Sequence, residues 1–207
     1  MSVPDRSIDP RLLSAAKEAF LSKGYEAASL SEICRAAGVT TGALYKRYDG
    51  KETLFSTLVA DTIRDMERFV ADIEASDLSA YTDGMLYEGF FMKPEDNLRW
   101  LRFLYERREG FTLLIKCAGG SRYANFHHEW AERMNRLDYK FYREAYARGM
   151  TTKVLSMQEM QVFTSALWAM FYEPFLHGFG WEQLERHATL IYEFTNWHAV
   201  LGIGKPN

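Results

Sequence analysis

The sequence is poor in the residues that build special scaffolds. It holds two cysteines in 207 residues. Cys34 and Cys117 are far apart in the chain and Cys34 belongs in a buried hairpin, so a disulfide framework is not expected and a reducing cytoplasm fits. Five prolines and no Gly/Ser/Pro-rich stretch leave no flexible linker. The longest apolar run, Ala166 to Phe171, falls far short of the roughly 20 residues of a membrane span. The first ten residues, MSVPDRSIDP, lack the apolar stretch of a secretory signal. Strand-like alternation, internal repeats and low-complexity segments are missing, so a sheet or a solenoid is not expected. Glycine-rich phosphate loops are missing too.

Catalytic and metal-binding constellations are equally thin. His127-His128-Glu129 looks suggestive, but neighbouring residues on a helix point about 100° apart, so the two imidazoles do not converge. His128 and Glu132 lie one turn apart and read as a solvated ion pair. Cys117 with His127 would lack both an orienting acid and an oxyanion-hole motif. No enzyme, cofactor or metal is expected.

What remains is an ordinary globular composition, 47% hydrophobic and 26% charged, long enough to bury a substantial core. Net charge is −3, which by itself argues against a nucleic-acid partner. Its distribution argues the other way. Between Ala27 and Lys51 the bases Arg35, Lys46, Arg47 and Lys51 face only Glu32 and Asp49, while the acidic excess lies downstream. A weakly basic segment beside an acidic body fits a reader that gains affinity by pairing with its own copy.

The segment SLSEICRAAGVTTGALYKRYDGK, Ser29 to Lys51, reads as two short helices around a tight turn. Ser29 and Glu32 have capping-box spacing. Gly38 stands where a helix end favours a positive φ, and Thr40 is a good N-cap for the next helix. Cys34 and Ala37 are small enough for a close crossing, with Leu44 turned inward. Thr41, Gly42 and Ala43 keep the first turn of the second helix slim, and Tyr45, Lys46, Arg47 and Tyr48 follow. A purely structural hairpin would more often carry mixed Glu and Lys there. The spacing is that of a helix-turn-helix, whose second helix enters the DNA major groove. A plain helical hairpin is the alternative.

At these positions the chain resembles the tetracycline-repressor (TetR) family of bacterial transcriptional regulators. The resemblance rests on Ile33, Cys34, Ala37, Gly38, Val39, Thr40, Gly42, Leu44, Tyr45, Tyr48, Lys51, Glu52 and Leu54. Cys34 replaces a usual Ala and Tyr48 a usual Phe. It covers about the first quarter of the chain. The resemblance implies an all-α fold with a three-helix DNA-binding headpiece, residues 1–50. A helical regulatory, ligand-binding and dimerisation domain, residues 51–207, would follow, with about nine or ten helices in all. Thr41, Gly42, Ala43, Tyr45 and Lys46 are expected to reach the groove. By resemblance, Tyr45, Tyr48 and Lys51 would hold phosphates. Ser29 and Thr40, mainly caps, would add hydroxyl contacts.

The rest of the chain follows helical periods. A polar tail over residues 1–8 precedes Asp9-Pro10, an N-cap with proline at the first helical position, and Gly24 ends that helix. Asp49-Gly50 turns the chain into a long helix reaching about Ala75. Further helices are expected over 79–91, from Pro94 to Arg108, and over Glu109–Cys117. Gly119-Gly120 breaks the chain before an amphipathic helix from Ser121 to about Arg148. Ser156 and Glu159 form a second capping-box match opening a helix to about His177. That helix is apolar nearly all round, with Pro174 expected to bend it. Trp181 to Leu201 forms the last. A helix without a solvated face needs cover, and the resemblance implies that these last two pack against their copies in a homodimer.

Aromatics are unevenly shared. Only Phe20, Tyr25, Tyr45 and Tyr48 lie in residues 1–51, while all five Trp lie in the body. Any one of them is a normal core residue. As a set, and given the resemblance, they suggest an apolar or aromatic small-molecule cavity walled by Trp100, Phe103, Tyr123, Phe126, Trp130, Trp168 and Tyr172. The reading is a cytoplasmic, ligand-responsive regulator, a repressor that leaves a near-palindromic operator when its effector binds. An orphan DNA-binding dimer with a filled core is the alternative.

Overall fold

The structure is a computed structural model that describes residues 8–90 and 92–204. Apart from Ile8, the tail expected over residues 1–8 lies outside the described residues. Among these the chain is all-α: eleven α-helices, one 3-10 turn and no strand. It divides into two compact units, Met1–Glu67 with Arg107–Phe126, and Arg68–Glu106 with His127–Asn207.

The first unit contains α1 (Ile8–Ala27), α2 (Leu30–Ala37), α3 (Thr41–Tyr45), the start of α4 (Gly50–Glu74) and α7 (Arg108–Lys116). Helix α1 carries Asp9 and Pro10 in its first turn and buries Leu12, Ala15, Ala16 and Phe20. At Gly24 it breaks, with φ 77° and ψ 167°, a region open only to glycine. That break turns the next amide outward from the helix ladder, and Tyr25 N–H donates to the Cys117 carbonyl at 2.7 Å. Phe20, Tyr25 and Tyr123 cluster around Phe55, with ring centroids 5.1, 5.3 and 6.1 Å from it. Arg107 on the approach to α7 pairs with Asp65 of α4 at 2.8 Å. Gly110 lets α7 lie against α4: a Cβ there would overlap the Thr62 hydroxyl.

The second unit contains the end of α4, a 3-10 turn (Leu78–Ala80), α5 (Asp83–Gly89), α6 (Pro94–Glu106), α8 (Phe126–Ala147, from His127), α9 (Met157–Leu176), α10 (Trp181–Phe194) and α11 (Trp197–Leu201). Its core gathers Leu86, Phe90, Leu137, Phe141, Tyr142, Ala145, Met160 and Leu201. Arg148 ties down the irregular stretch before α5. It donates to the carbonyls of Leu78 (2.7 Å) and Tyr81 (2.6 Å) while pairing with Glu144 at 2.7 Å. Asn97, fully buried on α6, donates to the Ala188 carbonyl of α10 at 3.2 Å.

Where expected helices differ from observed ones, short polar side chains are the cause, because they offer the backbone a local partner. The helix expected over 79–91 becomes a 3-10 turn and α5. Asp77 accepts from Ser79 N–H at 3.0 Å and Thr82 from Met85 N–H at 3.2 Å. The helix expected from Ser121 starts at Phe126. The Ser121 hydroxyl instead donates to Ala118 O and accepts from Tyr123 N–H. The last helix splits at Thr195-Asn196, where Thr195 back-bonds to Ile191 O and Asn196 caps Ala199. In contrast, the capping box of α9 is complete. Ser156 Oγ accepts from Glu159 N–H at 3.1 Å, and Glu159 accepts from Ser156 N–H at 2.8 Å. The helix continues through Pro174 to Leu176.

Candidate nucleic-acid interface and body cavity

Helix α2 ends as its sequence dictates. Gly38 has φ 64° and ψ 37°, and its N–H donates to Arg35 O while Val39 N–H donates to Cys34 O. This pair of bonds satisfies the last carbonyls and sets the turn. Thr40 then opens α3, its hydroxyl accepting from Ala43 N–H at 3.2 Å. Ile33, Cys34, Ala37 and Leu44 are buried in the angle between α2 and α3. Burial pushes the Cys34 and Cys117 thiols up, and both are free. The start of α2 corrects the sequence reading: Ser29 makes no side-chain cap, its hydroxyl meeting Ser31 Oγ at 2.7 Å. Glu32 is drawn off by Lys23, 2.8 Å away.

On the outer face Thr41, Gly42, Tyr45 and Lys46 are exposed and Ala43 is half-buried. Tyr45, at 60% exposure, is the most prominent aromatic of this face. Arg47 folds back onto Asp9, 3.0 Å away. Tyr48 is buried at 8% exposure, and burial raises its hydroxyl's pKa, with Asp9 adding to the effect. Lys51 Nζ donates to the carbonyls of Glu26 (3.0 Å) and Ala28 (3.2 Å) and sits 4.5 Å from the centroid of the Tyr25 ring. Tyr25 in turn donates to Glu52 at 2.8 Å, and burial followed by that carboxylate raises its pKa to about 12. The expected phosphate contacts are therefore placed unequally. Tyr45 is displayed, whereas Tyr48 is buried and Lys51 is bonded to the α1–α2 junction.

The expected cavity wall is also divided. Trp100, Trp130 and Trp168 share a cavity of about 70 Å³ in the second unit with Met134, Asp138 and Phe171. Trp130 and Trp168 stand 6.1 Å apart between centroids. Phe103 packs on Phe69 at 4.5 Å and Tyr172 lies between Trp168 and His127, and neither Phe103 nor Tyr172 is in that lining. Tyr123 and Phe126 belong to the first unit and are not in this lining. Asp138 went unnoticed in the sequence. Its signal was an acid on the apolar stripe of α8, one turn after Met134 and two after Trp130. Burial raises its pKa to about 7 against the smaller opposing effect of the Thr164 hydroxyl, 3.2 Å away. His128 does pair with Glu132, at 3.3 Å and well exposed. No cluster of three metal-ligating side chains occurs among the described residues, and none of their helices is long and apolar enough to cross a membrane.

Two short helices with this turn, cap and exposed face define a helix-turn-helix protein. Residues 12–58 match the model of the bacterial regulatory proteins of the tetR family. Over this N-terminal segment the chain is similar to the TetR family of regulators. The transcriptional regulator UidR of Escherichia coli K12 is 34% identical over 61 residues, 30% of each chain. SrpR of Pseudomonas putida is 37% identical over 57 residues, 28% of this chain and 27% of that one. These matched segments span only about a third of the relatives' length. Solved structures resemble the whole chain more loosely. A TetR-family member from Streptomyces coelicolor has a TM-score of 0.59 at 19% identity, covering 95% of this chain and 94% of that one. NalD, the secondary repressor of the MexAB-OprM efflux pump in Pseudomonas aeruginosa, has 0.55 at 20%, covering 90% and 94%. At such identity the likeness concerns the fold. The family and these relatives are regulators, not enzymes.

Proposed function

We propose that the protein is a homodimeric, DNA-binding transcriptional repressor of the cytoplasm that leaves a near-palindromic operator when a small apolar or aromatic effector binds. Residues 1–50 serve as the DNA-binding domain and residues 51–207 as the regulatory and dimerisation domain. The observation that carries the reading is α3 itself, whose exposed Thr41, Gly42, Tyr45 and Lys46 are held up by the buried Leu44. Thr41, Gly42, Ala43 and Lys46 approach base edges. Tyr45 meets phosphate, with Ser29, Thr40, Tyr48 and Lys51 at the margin. Phosphate contacts position and base contacts specify. A dimer places two such helices about 34–36 Å apart, one turn of the duplex.

Exposed apolar side chains on the last helices support the dimer: Val162 (67%), Phe163 (43%), Leu190 (55%) and Phe194 (77%). Clustered apolar exposure of this kind marks an interface. The effector would bind at the cavity of Trp100, Trp130 and Trp168. It acts only by favouring one of two body conformations over the other. Helix α4 carries the chain from one unit to the other without a break, a natural lever. Selection of duplexes from a random pool, followed by anisotropy titration, tests the reading. A palindromic consensus is expected, and failure to enrich any duplex refutes DNA recognition. Operator binding that no compound in an apolar and aromatic screen reverses would favour the orphan regulator.

A further inference from the structure

Asp138 is out of place on an apolar stripe. Its carboxylate lines the 70 Å³ cavity beside Trp130, Trp168 and Phe171, and also a second cavity of about 60 Å³ beside Phe90, Met160 and Trp197. Among the described residues no Lys, Arg or His lines either space. The hydrogen-bond partner placed on it is the Thr164 hydroxyl. A carboxyl with no cationic side chain lining its cavity, set among aromatic faces, is the complement of a cation, because the ring quadrupoles attract positive charge as well. The rings tolerate such a charge: the Arg133 guanidinium stands 5.3 Å from the Trp130 centroid, itself neutralised by Glu74 at 2.6 and 2.7 Å.

We propose that the effector of this regulator is an organic cation, an ammonium head with an apolar or aromatic body, whose charge is met by Asp138 inside the tryptophan-walled cavity. The proposal rests on the ligand-responsive reading above and narrows it. At about 70 and 60 Å³ each cavity suits a head group rather than a whole ligand. The body takes the adjoining cleft of about 250 Å³, which shares Phe90, Met92 and Trp197 with the second cavity. Met92 lines all three spaces. As a flexible thioether it can rotate to join them. Burial holds the Asp138 pKa at about 7, so an arriving cation completes an ionisation that is already half made at neutral pH.

The test pairs benzyltrimethylammonium with neopentylbenzene, the same shape with carbon in place of the charged nitrogen. Each is titrated into the full chain by calorimetry and tryptophan fluorescence. The cation is expected to bind about tenfold or more tightly than its neutral twin, a difference of about 1.4 kcal/mol. In Asp138→Asn that preference should vanish while neopentylbenzene binds as before. Equal binding of the two probes to the native chain, or a preference that survives Asp138→Asn, overturns the proposal and leaves an apolar effector standing. Binding of neither probe overturns it as well. If Asp138→Asn does not fold, the native comparison decides alone. Loss of the regulator reading would look different: the unliganded chain would select no duplex, whatever the probes do.

Discussion

Asp138→Asn should make stability less sensitive to pH, and the structure says by how much. The carboxyl lies between α8 and α9, accepts a hydrogen bond from Thr164 and is held near pKa 7 instead of its ordinary 3.8. The unfolded chain gives up that proton near pH 4, whereas the folded chain keeps it until about 7. Stability contributed by the protonated form is therefore complete below pH 4 and is lost as pH rises through 7. Linkage over that interval amounts to about 4 kcal/mol, and cavity hydration reduces it to about 2–4. Asparagine keeps the shape and can still accept from Thr164, but it does not titrate. Urea unfolding of both proteins at equal concentration, from pH 5 to pH 8, isolates the effect. Oppositely shifted groups such as Glu74 and Glu159, held low by Arg133 and by Ser156, contribute equally to both. The variant should gain on the native protein by about 1–3 kcal/mol between pH 5 and pH 8, because part of the loss already falls below pH 5. For a chain of this size that is on the order of 2–12 °C in Tm. A difference between the two that stays constant with pH would refute the assignment of the titration to Asp138.

Four further outcomes follow from contacts described above. Gly24→Ala should destabilise by about 1–3 kcal/mol in urea melts, since its φ and ψ suit glycine alone; an unchanged midpoint would contradict the break in α1. Gly110→Ala should cost about 1–3 kcal/mol through overlap with the Thr62 hydroxyl, and Thr62→Ala in the same chain should recover part of it, a coupling readable in a double-mutant cycle. Lys51→Ala should lower the melting midpoint by losing two carbonyl bonds and weaken binding to all duplexes alike, whereas Lys46→Ala should change sequence preference in a selection experiment. Phe194→Glu should shift the protein toward monomer in sedimentation and lower its DNA affinity; a dimer that persists at micromolar concentration would contradict the proposed interface.

Much of this fold was legible in the sequence for a definite reason. Apolar spacing reports which faces are buried, so α1, α4, α6, α8 and α9 appear in the residues themselves. The turn between α2 and α3 was legible because Gly38 and Thr40 act locally. The breaks were not. Asp77, Thr82, Ser121, Thr195 and Asn196 look like ordinary surface residues within a helical period, and only a backbone that bends toward them makes them caps. The failed box at Ser29 has the same origin in reverse: its spacing was right, but Lys23 competes for Glu32 from another helix. The exposed face of α3 was readable because exposure there follows helix phase. Tyr48 and Lys51 were expected to hold phosphates, but Tyr48 is buried and Lys51 is bonded to Glu26 O and Ala28 O, contacts that local spacing does not encode. The cavity wall mixed residues from both units because helical phase tells which side is inward, not inward to what.

The bond from Tyr25 N–H to the Cys117 carbonyl has a consequence for modular engineering. Helix α7 and the turn after it, nearly a hundred residues downstream, close the floor beneath the reading head through Phe55 and Tyr123. A chimera spliced at Gly50 would transplant the reading head but leave its floor behind with the donor. Swaps between homologues should work only when the graft also carries residues 107–126.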